Sequence, residues 1–249
     1  MNEGTTPPGA QTEEQAARWV RRMFDGVAPR YDLLNHLLSL NADKYWRWKT
    51  VRELQPFLAK PGARIVDLCC GSGDLMLALQ KASSESVLGS DFSHQMLLAA
   101  KTKIANSEVT SKVFEADALR LPLADGSCDV LTAAFGFRNL TNYGRGLNEL
   151  LRVLKPGGVA AILEFTTPPN VIFRTLYTVY SRWVLPRIGG LISGSPEAYK
   201  YLPDSVRKFP DAPSLAGQFE AAGFTKVRYR YLTFGIVALH LGHKGTKGS

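Results

Sequence analysis

The run Ile65-Val-Asp-Leu-Cys-Cys-Gly-Ser-Gly-Asp74 gathers the residues best suited to hold a small ligand. A short β-branched segment carries Asp67, a glycine-spaced turn follows at Gly71 and Gly73, and an apolar-periodic stretch starts at Leu75. Strand, tight turn and helix in that order open a nucleotide-type βαβ unit. Gly71 and Gly73 let the backbone approach a ligand because no Cβ intervenes. The next apolar run, 86–91, ends in Asp91 with Phe92 beside it. A carboxylate at that point can accept hydrogen bonds from both hydroxyls of a ribose.

A dinucleotide site requires Gly-x-Gly-x-x-Gly, and here the third glycine position is Met76. Asp67 and Asp74 also put negative charge where a dinucleotide carries phosphates. S-adenosylmethionine has an ammonium, a sulfonium and a ribose but no phosphate, and the charge pattern favours it. At this level Asp67 retains the alternative role of capping a turn.

A chain of 249 residues that is 45% hydrophobic can bury one large core, or one domain with an appendage. The net charge of +8 and pI near 9.4 suit an anionic surface, phospholipid or nucleic acid. Cys69, Cys70 and Cys128 match neither a disulfide framework nor metal-ligand spacing, so no metal and a reducing compartment are expected. No uninterrupted apolar run of about 18 residues is present, so no membrane span is predicted. The first residues have neither an apolar signal core nor an arginine-rich transit pattern, which points to a bacterial cytoplasmic protein.

Residues 1–11 read as a flexible lead and 245–249 as a tail. Thr12 and Gln15 form a capping box that opens the first of three helical patterns, and together these make an N-terminal helical cap over 12–60. From 61 to 244 the pattern is that of one ligand-binding domain, with strands at 64–68, 86–91, 112–115, 129–134 and 158–165. Their alternation with helices implies a parallel sheet covered on both faces, with ligands beyond the strand carboxyl ends. Two β-rich runs, 226–233 and 236–242, flank Phe234-Gly235 and predict a closing hairpin. A parallel sheet finished by a C-terminal antiparallel hairpin is the α/β, Rossmann-like, seven-stranded plan of class I S-adenosylmethionine-dependent methyltransferases.

Several segments carry a closer likeness: Met23-Phe-Asp-Gly-Val-Ala-Pro-Arg-Tyr-Asp-Leu-Leu-Asn35, Phe135-Gly-Phe-Arg-Asn-Leu-Thr141, Arg152-Val-Leu-Lys-Pro-Gly-Gly158, Leu163-Glu-Phe165, Tyr199-Lys-Tyr-Leu-Pro-Asp-Ser-Val206 and Gly235-Ile-Val-Ala-Leu-His240. With these the chain resembles the quinone-biosynthesis C-methyltransferases (UbiE/MenG type) over about 20–244. The resemblance implies methyl transfer from S-adenosylmethionine to a ring carbon of an isoprenoid quinol, demethylmenaquinol or the ubiquinone-pathway benzoquinol. It also implies that Ser72, Asp91, Asp117 with Ala118, and Ala134 line the cofactor. Asp117 retains the alternative of a turn residue before Leu121-Pro122.

A quinone ring is electrophilic, so the acceptor must be the reduced quinol, activated by loss of a phenolic proton whose ordinary pKa is about 10. Arg138 is the candidate for stabilising the phenolate, since a guanidinium stays charged, and Asn139 for orienting the oxygen or a relay water. Glu164, Asp32 and His36 compete as the base. Tyr31 and Tyr201 are candidates for the substrate pocket. The insertion 171–193 repeats apolar and aromatic residues at helical spacing between arginines. That pattern suits a lid, a face lying on anionic membrane, or a homodimer contact, and the helix around Trp19, Val20, Met23 and Phe24 raises the same choice. Nucleic acid is not expected as a partner, because Ala134-Phe-Gly-Phe-Arg-Asn139 stands where a base methyltransferase carries its own motif. A cofactor-binding subunit without chemistry is the rival from another class.

Overall fold

The computed structural model describes residues 4–28, 31–184 and 196–246. Three helices come first, α1 (Glu13–Val27), α2 (Tyr31–Leu38) and α3 (Ala42–Leu58). Thr12 caps α1 by accepting from the Gln15 amide at 3.2 Å, and the Gln15 side chain accepts from the Gln11 amide at 2.7 Å. The reciprocal bond of the capping box thus falls one residue earlier than its usual place. α1 turns Ala16, Val20 and Val27 inward and leaves Arg18, Arg21 and Arg22 outside. Its apolar face thus packs within the domain, and Trp19 packs against Tyr201 with ring centroids 5.0 Å apart.

Seven strands form one sheet: β1 (Ile65–Leu68), β2 (Val87–Asp91), β3 (Lys112–Glu115), β4 (Cys128–Ala134), β5 (Leu154–Phe165), β6 (Phe224–Leu232) and β7 (Val237–Lys244). Their order is β3-β2-β1-β4-β5-β7-β6, with β1 to β5 parallel and β7 antiparallel to both neighbours. All four residues of β1 are buried, as a central parallel strand covered on both faces requires. Helices α4 (Asp74–Ala82), α5 (His94–Ala105), α6 (Tyr143–Val153), α7 (Val171–Val179), α8 (Pro196–Lys208) and α9 (Ala212–Ala221) complete the layers. This is the expected methyltransferase plan.

Three local differences have physical causes. β5 begins at Leu154, paired with Cys128, and the Pro156-Gly-Gly segment is absorbed as an irregularity in the ladder rather than a separate turn. The lead expected to be flexible is held down from Gly4 onward: the Thr5 amide donates to Leu140 O at 2.8 Å and Thr5 is buried. After α7 the insertion continues as a single π-helical turn, Tyr180–Val184. Residues 185–193 of the insertion and 247–249 of the tail lie outside the described residues. No helix among the described residues is long and apolar enough to cross a membrane.

The topology creates the crevice. The chain leaves β1 for β2 and β3 on one side and returns to β4 on the other, so the connections diverge at the carboxyl ends of β1 and β4. There the exit from β4 crosses the turn after β1 so closely that a Cβ on Gly136 would lie 2.3 Å from Cys69 Cβ. Gly136→Ala is therefore expected to destabilise the fold by about 2 kcal/mol or more, read from urea unfolding midpoints.

Candidate active site

Three adjoining cavities open at this edge. One, about 60 Å³, is lined by Gly71, Asp91, Phe92, Asp117, Ala118 and Asn139, with Ala17 and Phe24 of α1 on its far wall. Asp91 is buried, and each carboxylate oxygen accepts one backbone N–H, from Gly71 and from Ser93, both at 2.9 Å. Each oxygen keeps a further lone pair, the acceptor set that a ribose diol needs. Gly71 has φ +55°, and the nearest atom to a Cβ there is Tyr31 Cε1 at 3.7 Å. Asn139 Nδ2 is buried with no hydrogen-bond partner, a donor left for a ligand. Asp117 is exposed and its Oδ1 accepts from the Leu119 amide at 2.9 Å. The turn role and the edge of the cleft thus coincide in one residue.

A second pocket, about 20 Å³, continues beneath the glycine turn and is lined by Asp67, Gly71, Ser72, Asp74 and Ala134. Ser72 Oγ is taken up by Asp32 and by Lys103, whose Nζ lies 3.1 Å away. Gly73, at φ +89°, lines neither cavity and starts α4 instead. The acids that flank the turn differ in kind. Despite burial, Arg47 and Lys103 hold the Asp74 carboxyl below the usual range. Asp67 is paired in register with Thr132, whose hydroxyl donates to it at 2.5 Å. Burial outweighs that bond and pushes the Asp67 carboxyl up to about 7. Burial likewise raises Asp91 to about 6, against the pull of the Ser93 and Gly71 amides. The turn therefore presents one acid paired directly with cations, Asp74, and one without a direct ion pair among the described residues, Asp67.

The larger cavity, about 410 Å³, shares Phe24, Tyr31 and Phe135 with the cleft. Its walls are mostly apolar and aromatic, including Met23, Trp46, Phe165, Tyr177 and Tyr180, and it also carries Arg138 and Tyr201. Arg138 lies in the short turn Phe137–Asn139 after β4. Its Nη1 donates to Glu164 Oε1 at 2.9 Å and to the Phe135 carbonyl, and its Nε to Ser205 Oγ at 3.3 Å. Nη2 has no partner among the described residues. Burial works against the guanidinium charge, but the Glu164 carboxylate outweighs it and raises the Arg138 pKa. Arg138 and Asn139, adjacent in sequence, therefore face different spaces, the apolar cavity and the cleft.

The three competing bases are separated from the cavity. Glu164 accepts from Arg138 and from the Phe165 amide, and acts as a counter-ion. Asp32 is paired with Lys103 at 2.8 Å. His36 Nδ1 lies 2.8 Å from Asp43 Oδ2. Among the described residues the carboxylate that lines the cavity is Asp43, which sequence reasoning missed, as it did Arg47 and Trp46. His36, Asp43 and Asp74 lie close together, and the Arg47 guanidinium pairs with both carboxylates while His36 bonds to Asp43. The periodicity of α3 was the available signal, but it does not say which residues of the helix face a ligand.

A model of the ubiE/COQ5 methyltransferase family matches residues 10–244. The chain belongs to this family. A demethylmenaquinone methyltransferase of Thermus thermophilus is 48% identical over 89% of this chain and 100% of its own length. One of Deinococcus radiodurans is 44% identical over 98% of this chain and 100% of its own. A ubiquinone/menaquinone biosynthesis C-methyltransferase of Syntrophotalea carbinolica is 47% identical over 92% of this chain and 95% of its own. Among solved structures, an S-adenosylmethionine-dependent methyltransferase of Thermotoga maritima superposes with a TM-score of 0.63 at 19% identity, covering 90% of this chain and 98% of that one, a likeness of fold. The chain is thus an S-adenosylmethionine-dependent methyltransferase, and the cleft's donors and acceptors fit that cofactor.

Asp67 supplies a test. Its folded pKa lies above the unfolded value of about 3.9, so stability is lost as pH rises from about 4 through about 7. Asp67→Asn, which can still accept from Thr132, is expected to stabilise the ligand-free protein at pH 8 by about 2 kcal/mol and to add little at pH 4. Thermal unfolding at the two pH values measures the difference.

Proposed function

We propose that this methyltransferase methylates a ring carbon of a reduced isoprenoid quinone, demethylmenaquinol before the ubiquinone-pathway benzoquinol. The observation that carries the proposal is the apolar 410 Å³ cavity beside the cofactor cleft, with a buried arginine on its wall whose Nη2 has no partner among the described residues. Such a cavity suits a prenylated aromatic ring, and the names of the relatives favour the naphthoquinol.

When bound, S-adenosylmethionine supplies an electrophilic methyl group on a cationic sulfur. Asp67, uncompensated, attracts the cofactor's ammonium, and Asp91 accepts from its ribose. Gly71, Ser72 and Gly73 carry the chain beneath the methionine part, with Ala134 behind them. Phe92, Asp117 and Ala118 hold the adenine side. Tyr31 forms the wall common to cleft and cavity, and Tyr201 the wall beside Arg138. Arg138 Nη2 donates to a quinol oxygen and favours its ionised form, the phenolic proton passing to solvent water before transfer. The ionised oxygen pushes electron density onto the ring carbon, and the proton that the methyl group displaces from that carbon leaves to water afterwards. The same low-dielectric walls exclude water from the transfer path.

The substrate also suggests where the protein works. Leu33, Leu37 and Leu40, the last 82% exposed, and Val171, Ile172, Leu176, Val179 and Trp183 are exposed apolar residues on α2, the turn after it, α7 and the π-turn. α7 buries none of its side chains. Leu38, Leu40, Tyr177 and Tyr180 from the same segments line the cavity, and Tyr180 OH donates to Leu38 O at 2.7 Å. An apolar rim around the cavity, on a chain of net charge +8, suits the surface of an anionic bilayer in which the quinol is dissolved.

Three measurements test the proposal. Methyl-labelled S-adenosylmethionine with chemically reduced naphthoquinone should yield labelled quinol, in preference to benzoquinol; label in neither overturns it. Arg138→Lys keeps a cation for Glu164 but removes Nη2. It should lower turnover about 10²-fold while cofactor affinity changes by less than about twofold. Leu37→Asp with Leu176→Asp should reduce flotation with phosphatidylglycerol vesicles about tenfold or more and spare turnover of a short-tailed quinol. Undiminished flotation removes this rim from membrane contact.

A further inference from the structure

The N-terminal strap is built into the site more tightly than a lead needs to be. Gly4 presses so closely on the loop after Asn139 that a Cβ there would lie 1.9 Å from Thr141 O. The Thr5 amide donates to Leu140 O at 2.8 Å, and Lys208 Nζ donates to Thr6 O at 3.3 Å. The Thr5 side chain points inward, and its Oγ1 lies 2.6 Å from Tyr201 OH. Tyr201 OH donates to Asn139 Oδ1 at 3.1 Å, so its single proton is committed and Thr5 is the donor to Tyr201. The chain of bonds ends on Asn139, a residue that lines the cleft and whose buried Nδ2 has no hydrogen-bond partner among the described residues.

We propose that Thr5 is a positioning residue for cofactor binding, acting through Tyr201 to hold the Asn139 amide with its N–H groups toward the cleft. The proposal rests on the assignment of that cleft to S-adenosylmethionine, but not on the identity of the acceptor. An amide has two orientations of similar shape and opposite polarity. A hydroxyl that donates to its oxygen selects one of them, and Tyr201 can spare its proton for Asn139 because Thr5 supplies the other bond. The strap thereby completes, from residues 4–6, a site whose other parts come from the sheet edge.

Isothermal titration of the full chain with S-adenosylmethionine, in the absence of any quinol, tests this. Thr5→Val keeps the shape and removes the donor, and it should weaken binding about five- to tenfold. Thr5→Ser should restore affinity to within about twofold of the parent. Tyr201→Phe should show the same loss as Thr5→Val, and the double variant no further loss, because the two act in one chain of bonds. Thermal midpoints of the ligand-free variants separate a general loss of stability from this effect. Unaltered affinity in Thr5→Val, losses that add in the double variant, or failure of Thr5→Ser to restore binding overturns the proposal. If the variants show the expected affinities but the parent chain methylates no quinol, the acceptor assignment fails and this proposal stands.

Discussion

A guanidinium cannot remain in an apolar interior without a counter-ion, and the site is arranged around that constraint at Arg138 and Glu164. Arg138 is buried at the end of β4, and Glu164 near the end of the neighbouring parallel strand. The carboxylate takes N–H bonds from the Arg138 backbone, the Arg138 side chain and Phe165. The short turn after β4 is thereby pinned to β5. Pinning fixes which edge of the guanidinium faces the large cavity, and it sends the next residue, Asn139, to the other side. One rigid turn serves two compartments, and a displacement there would disturb both.

The second constraint is the cost of burying negative charge. Asp67 and Asp91 lie on adjacent strands with raised pKa values, whereas Asp74, a turn away, is neutralised by Arg47 and Lys103. A fold selected only for stability would neutralise or remove the first two. Leaving Asp67 without a direct cation makes the ligand-free protein less stable, and its ionised form would favour a cationic ligand. The phosphate of a dinucleotide would meet the same charge with the opposite sign of energy. This is the physical content of the difference between this site and a dinucleotide site.

The cavity extends the same logic to the surface. Its apolar lining comes from helices that also carry exposed apolar residues next to the lining ones: Leu37 beside Leu38, and Leu176 beside Tyr177. A helix that encloses a lipid-like substrate needs apolar groups on more than one side. Its exposed stripe and its lining are thus two consequences of one composition.

Local signals in the sequence determined the architecture and the cofactor. Asp67, the Gly71–Gly73 turn and Asp91 lie within one βαβ unit, where strand alternation and turn chemistry alone place them at a sheet edge. The hairpin around Phe234 was legible for the same reason. What local signals could not carry were pairings between distant segments. Thr5 read as part of a loose lead, and its hydrogen bond spans 196 positions to Tyr201. Glu164 read as a base until its contact with Arg138, 26 positions away, made it a counter-ion. Asp74 and Asp67 read alike until Arg47, from another helix, neutralised one of them. Residue types and short spacings set the chemistry available along the chain. Only the tertiary structure decided which charges are compensated and which polar atoms are left for a ligand, because burial and ion pairing are properties of the packed chain.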